Sequence, residues 1–354
     1  MINVSSSYGA CPLKILILKP SSLGDVIQAL PVLRLLRLHF RDAEIFWWID
    51  ANLAPLIEGD PDLTNIVRFE RKRWGSPANW PEMFQSIRWM RAQQFDWVID
   101  LQGLLRSAAF AWLARGKFLI GLDNPHEGGR EGASSFYDFA VRGNGAGHAV
   151  DRCLSVLPAL GVPVHKNFQW LPERPKISAA VKAKWPEVQS ARWIAIQPGA
   201  RWPTKCWPTP NYTALVRLLA QQYPDVCFAV MGSGEDRTRG EAVKAAAQER
   251  VLNLCGETSL PEMMEWLRLC KLMITNDTGP MHVAAALGVP LIALFGPTDP
   301  NSTGPYGQLE NVLRIKLPCA PCFKHSCHWH NPMECLTAIT PAKVFEAARK
   351  KLES

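Results

Sequence analysis

No stretch of the 354 residues approaches the roughly 18–20 uninterrupted apolar positions that a membrane-spanning helix needs. Met1 to Cys11 has no basic segment ahead of an apolar run, so no secretory signal is expected. The first apolar run, Leu13 to Leu18, is short, contains Lys14 and reads as a buried strand. These absences point to the cytoplasm. Also missing are a full G-x-G-x-x-G fingerprint and a G-x-x-x-x-G-K-[ST] loop, which argues against a dehydrogenase or a P-loop NTPase. The net charge of +7 is not drawn into the dense basic stripe of a nucleic-acid-binding domain, so no nucleic-acid partner is expected.

What is present fits an α/β enzyme: 47% hydrophobic and 20% charged residues, in a chain long enough for two domains. Residues 1–165 hold 17 Lys/Arg against 16 Asp/Glu, and residues 166–354 hold 22 against 16. The basic second half suits an anionic ligand. Lys14–Lys19, Glu44–Asp50 and Trp97–Leu101 read as strands, with helices at Asp25–Phe40 and about Ser107–Arg115. In the second half Trp193–Gln197, Cys227–Met231, Leu272–Thr275 and Leu291–Phe295 read as strands, and Tyr212–Gln222 and Met281–Leu287 as helices. Between Val162 and Gln189, Pro163, Pro172, Pro175 and Pro186 mark a connector. Two Rossmann-like domains with parallel sheets, 1–165 and 166–354, with a cleft between them, are the expected architecture.

Four loops that follow strands carry the polar residues. Lys19-Pro20-Ser21-Ser22-Leu23-Gly24-Asp25 leads into the first helix; Ser21, Ser22 and Gly24 allow close approach of a polar ligand. Asp25, at or near the N-cap, either caps that helix or serves as a general base at the sheet edge. Asp277-Thr278-Gly279-Pro280-Met281-His282 opens an alanine-rich helix whose N-terminus suits a diphosphate. His282 lies one turn in, facing that ligand or satisfied in the core. Arg201 and Lys205, in Pro198–Trp207, either reach phosphate oxygens or are ordinary surface cations. Gly232-Ser233-Gly234-Glu235 places a carboxylate where ribose hydroxyls are bound in dinucleotide folds, a weak signal alone.

Ten cysteines would suggest a disulfide framework, but Cys11, Cys153, Cys206, Cys227, Cys255 and Cys270 are scattered, as small buried hydrophobes are in a cytosolic chain. The other four form Cys319-x2-Cys322-x4-Cys327-x7-Cys335, with His325, His328 and His330 among them. That spacing is open to a structural Zn²⁺, an iron–sulfur cluster, a redox-sensitive disulfide or free thiols in a loop. Of the fourteen tryptophans, Trp74, Trp80 and Trp89 follow a basic run; core packing explains them more simply than contact with lipid.

The blocks KPSSLGDVIQALPVL near the start, DWVIDLQGLLRSA (96–108), GREGASSFY (129–137), QPGARWPTKCWP (197–208), MGSGE (231–235) and TNDTGPMHVAAALGVPLIALFGPTDP (275–300) stand in the order seen in one family. The chain resembles, nearly end to end, the lipopolysaccharide heptosyltransferases of glycosyltransferase family 9, which have the GT-B fold. The resemblance implies an inverting transfer of heptose from ADP-heptose to a lipopolysaccharide core or Kdo-lipid A type acceptor, without a metal, at the inner-membrane surface. It makes Asp25 the catalytic base and places Ser22, Gly24, Arg201, Lys205, Glu235, Asp277, Thr278, Gly279 and His282 on the donor side. Lys19, Arg68, Arg71, Lys72, Arg73 and Arg130 fall on the acceptor side, where cations suit an acidic glycolipid. Ala200-Arg201 departs from the hydroxyl residues that first-heptose enzymes tend to carry, which leaves the donor and the position in the core open. The rival readings are a transferase using another nucleotide sugar, a silent nucleotide-sugar-binding protein, and a nucleotide-sugar epimerase.

Overall fold

The protein, seen in a computed structural model, is described over residues 12–123, 132–142, 147–189 and 191–353. It divides into two compact units, Met1–Pro172 and Glu173–Ser354. The division falls within the proline-bearing connector, later than residue 165. The physical reason is Arg34, whose Nε donates to the carbonyl of Trp170 at 3.1 Å and ties that stretch back to the first unit. The same guanidinium forks onto Asp60 (2.5 and 2.7 Å) and reaches Asp62 (2.6 Å).

The first unit is a parallel sheet of β1 (Lys14–Leu18), β2 (Glu44–Asp50), β3 (Asn65–Phe69), β4 (Trp97–Asp100), β5 (Phe118–Asp123) and β6 (Phe139–Arg142), in the order β3-β2-β1-β4-β5-β6. Its helices are α1 (Leu23–His39), α2 (Trp80–Ala92), α3 (Leu105–Ala114), α4 (Ala149–Leu154) and α5 (Val156–Ala159). In the second unit β7 (Arg192–Gln197), β8 (Val226–Val230), β9 (Val251–Asn253), β10 (Cys270–Asn276), β11 (Leu291–Phe295) and β12 (Val312–Arg314) lie in the order β12-β11-β10-β7-β8-β9. Its helices are α6 (Pro175–Lys184), α7 (Thr209–Gln222), α8 (Arg237–Lys244), α9 (Leu260–Leu269), α10 (Gly279–Ala286), α11 (Pro300–Thr303), α12 (Glu334–Thr337) and α13 (Pro341–Leu352). Counted from its own first strand, each sheet has the doubly wound order 3-2-1-4-5-6. The order therefore reverses between β1 and β4 in one unit and between β7 and β10 in the other, where such sheets bind ligands.

The central strands are apolar on both faces because helices cover both. Residues 15–18 of β1, 45–49 of β2 and 291–295 of β11 are buried throughout. In the first unit Trp48 packs against Phe69 and Phe110, with ring centroids 4.4 and 4.9 Å apart, and Trp74 stacks on Phe110. Helix α2 presses Ile87 and Met90 onto this aromatic layer. In the second unit Tyr212, Leu215 and Leu219 of α7 pack with Trp207 on β7 and β8.

Arg34 and Asp60 are almost wholly buried, so removing one partner leaves an uncompensated charge. Arg34→Met is expected to lower the unfolding free energy by about 3–5 kcal/mol, read from the denaturant midpoint. Arg34→Lys, which lacks the fork, should recover only part of it.

Candidate functional site

Loops at the carboxyl edge of the first sheet are tied to one another. The indole N–H of Trp47 donates to the Lys19 carbonyl at 3.1 Å, and Asp50 N donates to the Pro20 carbonyl at 3.0 Å. Lys19 is buried, and its Nζ donates to the Leu101 carbonyl at 2.9 Å, joining the loop after β1 to the loop after β4. Lys19, expected on the acceptor side, thus gives one of its three ammonium donors to the protein itself. Asp100, at the end of β4, accepts from Ser107 Oγ and Tyr137 Oη (both 2.8 Å) and from the N–H groups of Gln102 and Gly103. Burial pushes its carboxyl up while these donors pull it down, and the network shapes the loop that faces Asp25's own.

Helix α1 starts two residues earlier than expected. Ser22 is the N-cap and Asp25 the third helical residue, so Asp25 closes a capping box. Ser22 N (2.6 Å) and Ser22 Oγ (2.7 Å) both donate to Asp25 Oδ2. Oδ1 has no hydrogen-bond partner among the described residues, and the side chain is half-buried. One oxygen of the carboxylate is thus given to the cap and the other is left open.

The expected basic acceptor patch does not stand as a single cluster. Arg68, on the edge strand β3, pairs with Glu58 at 2.6 Å, and Arg73 pairs with Glu82 at 2.5 Å. Arg71 and Lys72 are exposed with no ion-pair partner among the described residues. Arg130 lies outside the described residues. Trp74 is core, as expected, whereas Trp80 and Trp89 stand on the outer side of α2, exposed.

In the second unit Asn276, the last residue of β10, is the joint of the site. Its Oδ1 accepts from Trp207 N and Tyr212 Oη, both at 3.0 Å, and its Nδ2 donates to the Pro198 carbonyl at 2.9 Å. The loop after β7 is thereby fixed on the end of β10. Lys205 then reaches Asp277: its Nζ lies 2.6 Å from Oδ2, which also accepts from Thr298 Oγ1 at 2.6 Å. Asp277 is buried, so its part is to position Lys205 rather than to meet an anion that it would repel. The ammonium has three donors and retains two for a ligand. It sits 4.7 Å from the Trp202 ring centroid.

Beside it, Thr278 caps α10 without a side-chain cap bond, leaving its hydroxyl and the Gly279 N–H at the helix's positive end. Pro280 in the first turn has no N–H, so fewer donors are available there than the spacing suggested. His282 is 8% exposed, on the packed side of α10. Arg201 is exposed on the loop after β7. Glu235 is exposed in the turn after β8, next to buried Asp236, which accepts from Ser233 N and Oγ. Asp236 occupies the space where a Cβ on Gly199 would stand, so that glycine lets the loops after β7 and β8 touch.

Asn276, Thr298 and Trp202 were not singled out from sequence; each lies inside a block that was, but only the fold shows what it bonds. The cysteine loop has a use that was also not foreseen. The carbonyl of Lys324 accepts from Thr204 Oγ1 at 2.8 Å, and the His325 ring lies 3.8 Å from that of Trp202. Cys322 N and Phe323 N both donate to the Pro297 carbonyl, at 3.0 and 2.8 Å. The loop thus braces both neighbours of the Lys205–Asp277–Thr298 group. Its thiols are free, and among the described residues no three His, Cys, Asp or Glu side chains are placed to share a metal ion. Cys319, Cys322, Cys327 and Cys335, the quartet expected for Zn²⁺, do not form such a group, although their thiols lie near enough to act on one another. Burial, then the other three thiols, push the Cys335 thiol up to about 11, and Cys327 Sγ accepts from Met333 N at 3.2 Å.

The sequence profile of Glycosyltransferase family 9 (heptosyltransferase) matches residues 83–332, well over half the chain. The chain belongs to this family. The transferase is 30% identical to lipopolysaccharide heptosyltransferase 1 of Pseudomonas aeruginosa, over 94% of its own length and 96% of the relative's. Its fold, GT-B, matches E. coli ADP-heptose lipopolysaccharide heptosyltransferase II with a TM-score of 0.78 and 25% identity, covering 96% and 99% of the two chains. E. coli heptosyltransferase WaaC with ADP-2-deoxy-2-fluoro heptose matches with a TM-score of 0.76 and 24% identity, covering 96% and 99%. No helix among the transferase's described residues is long and apolar enough to cross a membrane.

Lys205→Met is expected to weaken binding of a nucleoside diphosphate by about 10–100-fold, the worth of a hydrogen bond to a charged group. Thr298→Val should cost the transferase less, because Asp277 keeps its bond to Lys205. Titration calorimetry of both variants checks the order; a larger loss in Thr298→Val would place Asp277, not Lys205, on the ligand.

Proposed function

We propose that this transferase moves heptose from ADP-heptose onto the inner core of lipopolysaccharide with inversion at the anomeric carbon, working in the cytoplasm at the face of the inner membrane. The observation that carries the reading is the pair of arrangements at the two sheet edges. One is a carboxylate with a capped oxygen and an open one. The other is a lysine braced by Asp277 and Thr298 beside a helix N-terminus. The relatives, a lipopolysaccharide heptosyltransferase and an enzyme holding a fluorinated ADP-heptose, support this donor and acceptor.

In this mechanism Asp25 Oδ1 takes the proton of the acceptor hydroxyl as its oxygen attacks the anomeric carbon. The bond from that carbon to the diphosphate breaks, and a single displacement inverts the centre. Charge that grows on the departing ADP is met by Lys205, Arg201, the Gly279 N–H and the Thr278 hydroxyl. Glu235 accepts from the ribose, with Ser22, Gly24 and His282 also on the donor side. Arg71 and Lys72, with Arg68, Arg73 and Arg130, meet the acid groups of the glycolipid. The lysine and the helix dipole supply the positive charge, so no metal step is included, and chelator is expected to leave the rate unchanged. The zinc considered for the cysteine loop is not part of the proposal.

Incubation with a panel of nucleotide sugars and a heptose-deficient core glycolipid, read by mass spectrometry, tests the donor. Addition of one heptose from ADP-heptose alone is expected; transfer of a different sugar would replace the donor in this reading. Asp25→Asn should lower turnover by about 10²–10⁴-fold while ADP binding persists, and equal turnover would remove Asp25 from the role of base.

A further inference from the structure

The outer surface of α2 and α3 is unlike the rest of the molecule. Among the described residues eleven large apolar side chains are exposed, and five of them (Trp80, Phe84, Trp89, Leu105 and Trp112) stand on these two helices. All three exposed tryptophans are in that set. Trp80 is 46%, Phe84 54% and Trp112 58% exposed, so these rings are not peripheral members of the core. Helix α2 places Trp80, Phe84 and Arg88 four residues apart on one line, beside the buried Ile87 and Met90. Helix α3 carries Leu105, Ala109 and Trp112 along one side, opposite the buried Ser107, Ala111 and Ala114. The helices lie side by side, joined by Arg91 Nε donating to the Leu113 carbonyl at 2.8 Å.

The charge around these rings is mainly positive. Residues 71–115 contain seven Lys/Arg and three Asp/Glu. Asp96 and Asp100 are buried, and the third acid, Glu82, is paired with Arg73. Arg71, Lys72, Arg88, Arg106 and Arg115 are exposed with no ion-pair partner among the described residues. Tryptophan and arginine together on an otherwise acid-poor helical face are what the boundary between lipid headgroups and acyl chains selects: the rings enter it and the cations meet anionic headgroups. A second protein would more often answer such cations with its own acids across a contiguous apolar core, whereas here the rings are interleaved with arginines.

We infer that the α2–α3 face is the surface by which this protein lies on an anionic bilayer. The inference deepens the proposed function, since it matters most for a lipid-held acceptor. Both helices follow strands, so their N-terminal ends stand at the sheet edge that carries Asp25. A bilayer against this face would hold the acceptor's sugar at that edge and reduce the search for it to two dimensions.

The test uses the full chain and vesicles of phosphatidylcholine with or without phosphatidylglycerol, containing no glycolipid, so that its outcome does not depend on the donor or acceptor proposed above. Flotation with the anionic vesicles and not the neutral ones is expected, weakening as salt is raised. The triple variant Trp80→Ser/Phe84→Ser/Trp112→Ser should lose at least about tenfold in vesicle partition, and so should Arg88→Glu/Arg106→Glu, which alters no packed side chain. The triple variant should also keep the wild-type rate on a delipidated, water-soluble acceptor while losing it on acceptor in vesicles. Wild-type protein that stays with the soluble fraction overturns the inference, as do variants that float like wild type. So does light scattering that shows a dimer broken by the same substitutions with flotation unchanged, which would assign the face to a second copy of the chain.

Discussion

Asp277 Oδ2 receives both the Lys205 ammonium and the Thr298 hydroxyl, and the order of the loops after β7, β10 and β11 depends on that shared oxygen. A lysine on a loop is a flexible point charge that would otherwise sample many positions and lose entropy on meeting a ligand. Here it is held in advance at the positive end of α10, where helix dipole and ammonium act on the same small volume. Asp277 is buried behind the ammonium, so it orders the lysine without itself being exposed.

The surrounding structure keeps that arrangement from drifting. Asn276 fastens the loop after β7 to the end of β10 through Trp207, Tyr212 and Pro198. The cysteine loop presses on the same loop through Thr204 and Trp202 and on the loop of Thr298 through Pro297. In the first unit Asp100 and Lys19 perform the corresponding service for the loop of Asp25, each by bonds that run between segments after different strands. Both units therefore place the residues proposed for the site, Asp25 and Lys205, at the strand-order reversal and hold their loops with buried polar residues just behind.

Much of this was legible in the residues. The strands β1, β2, β4, β7, β8, β10 and β11 are short runs apolar on both faces, and a buried parallel strand has no other way to be written. Asp25 and the Asp277–Gly279 turn stood out because glycines and acids at a strand–helix junction have few structural alternatives. What stayed hidden was partnership. Lys19 reads as a free cation until the fold brings the Leu101 carbonyl to it, and Arg68 and Arg73 read as a patch until Glu58 and Glu82 come alongside. Four thiols at ligand-like spacing are equally a loop that packs. Edge strands β3 and β6 and the amphipathic α2 were missed because half-exposed elements carry weak periodicity. The same weakness obscured which tryptophans face out.

The contact between Gly199 and Asp236 has a bearing on how this enzyme can change. The carboxylate fills the place of a missing methyl group, so the segments that follow β7 and β8 behave as one rigid piece. A side chain at 199 is tolerable only with a smaller residue at 236, and the two positions are constrained to vary in concert. A change in the turn after β8 is thus felt in the loop that carries Arg201 and Lys205 as well, so neither loop is free to be reshaped alone in any evolved or engineered descendant.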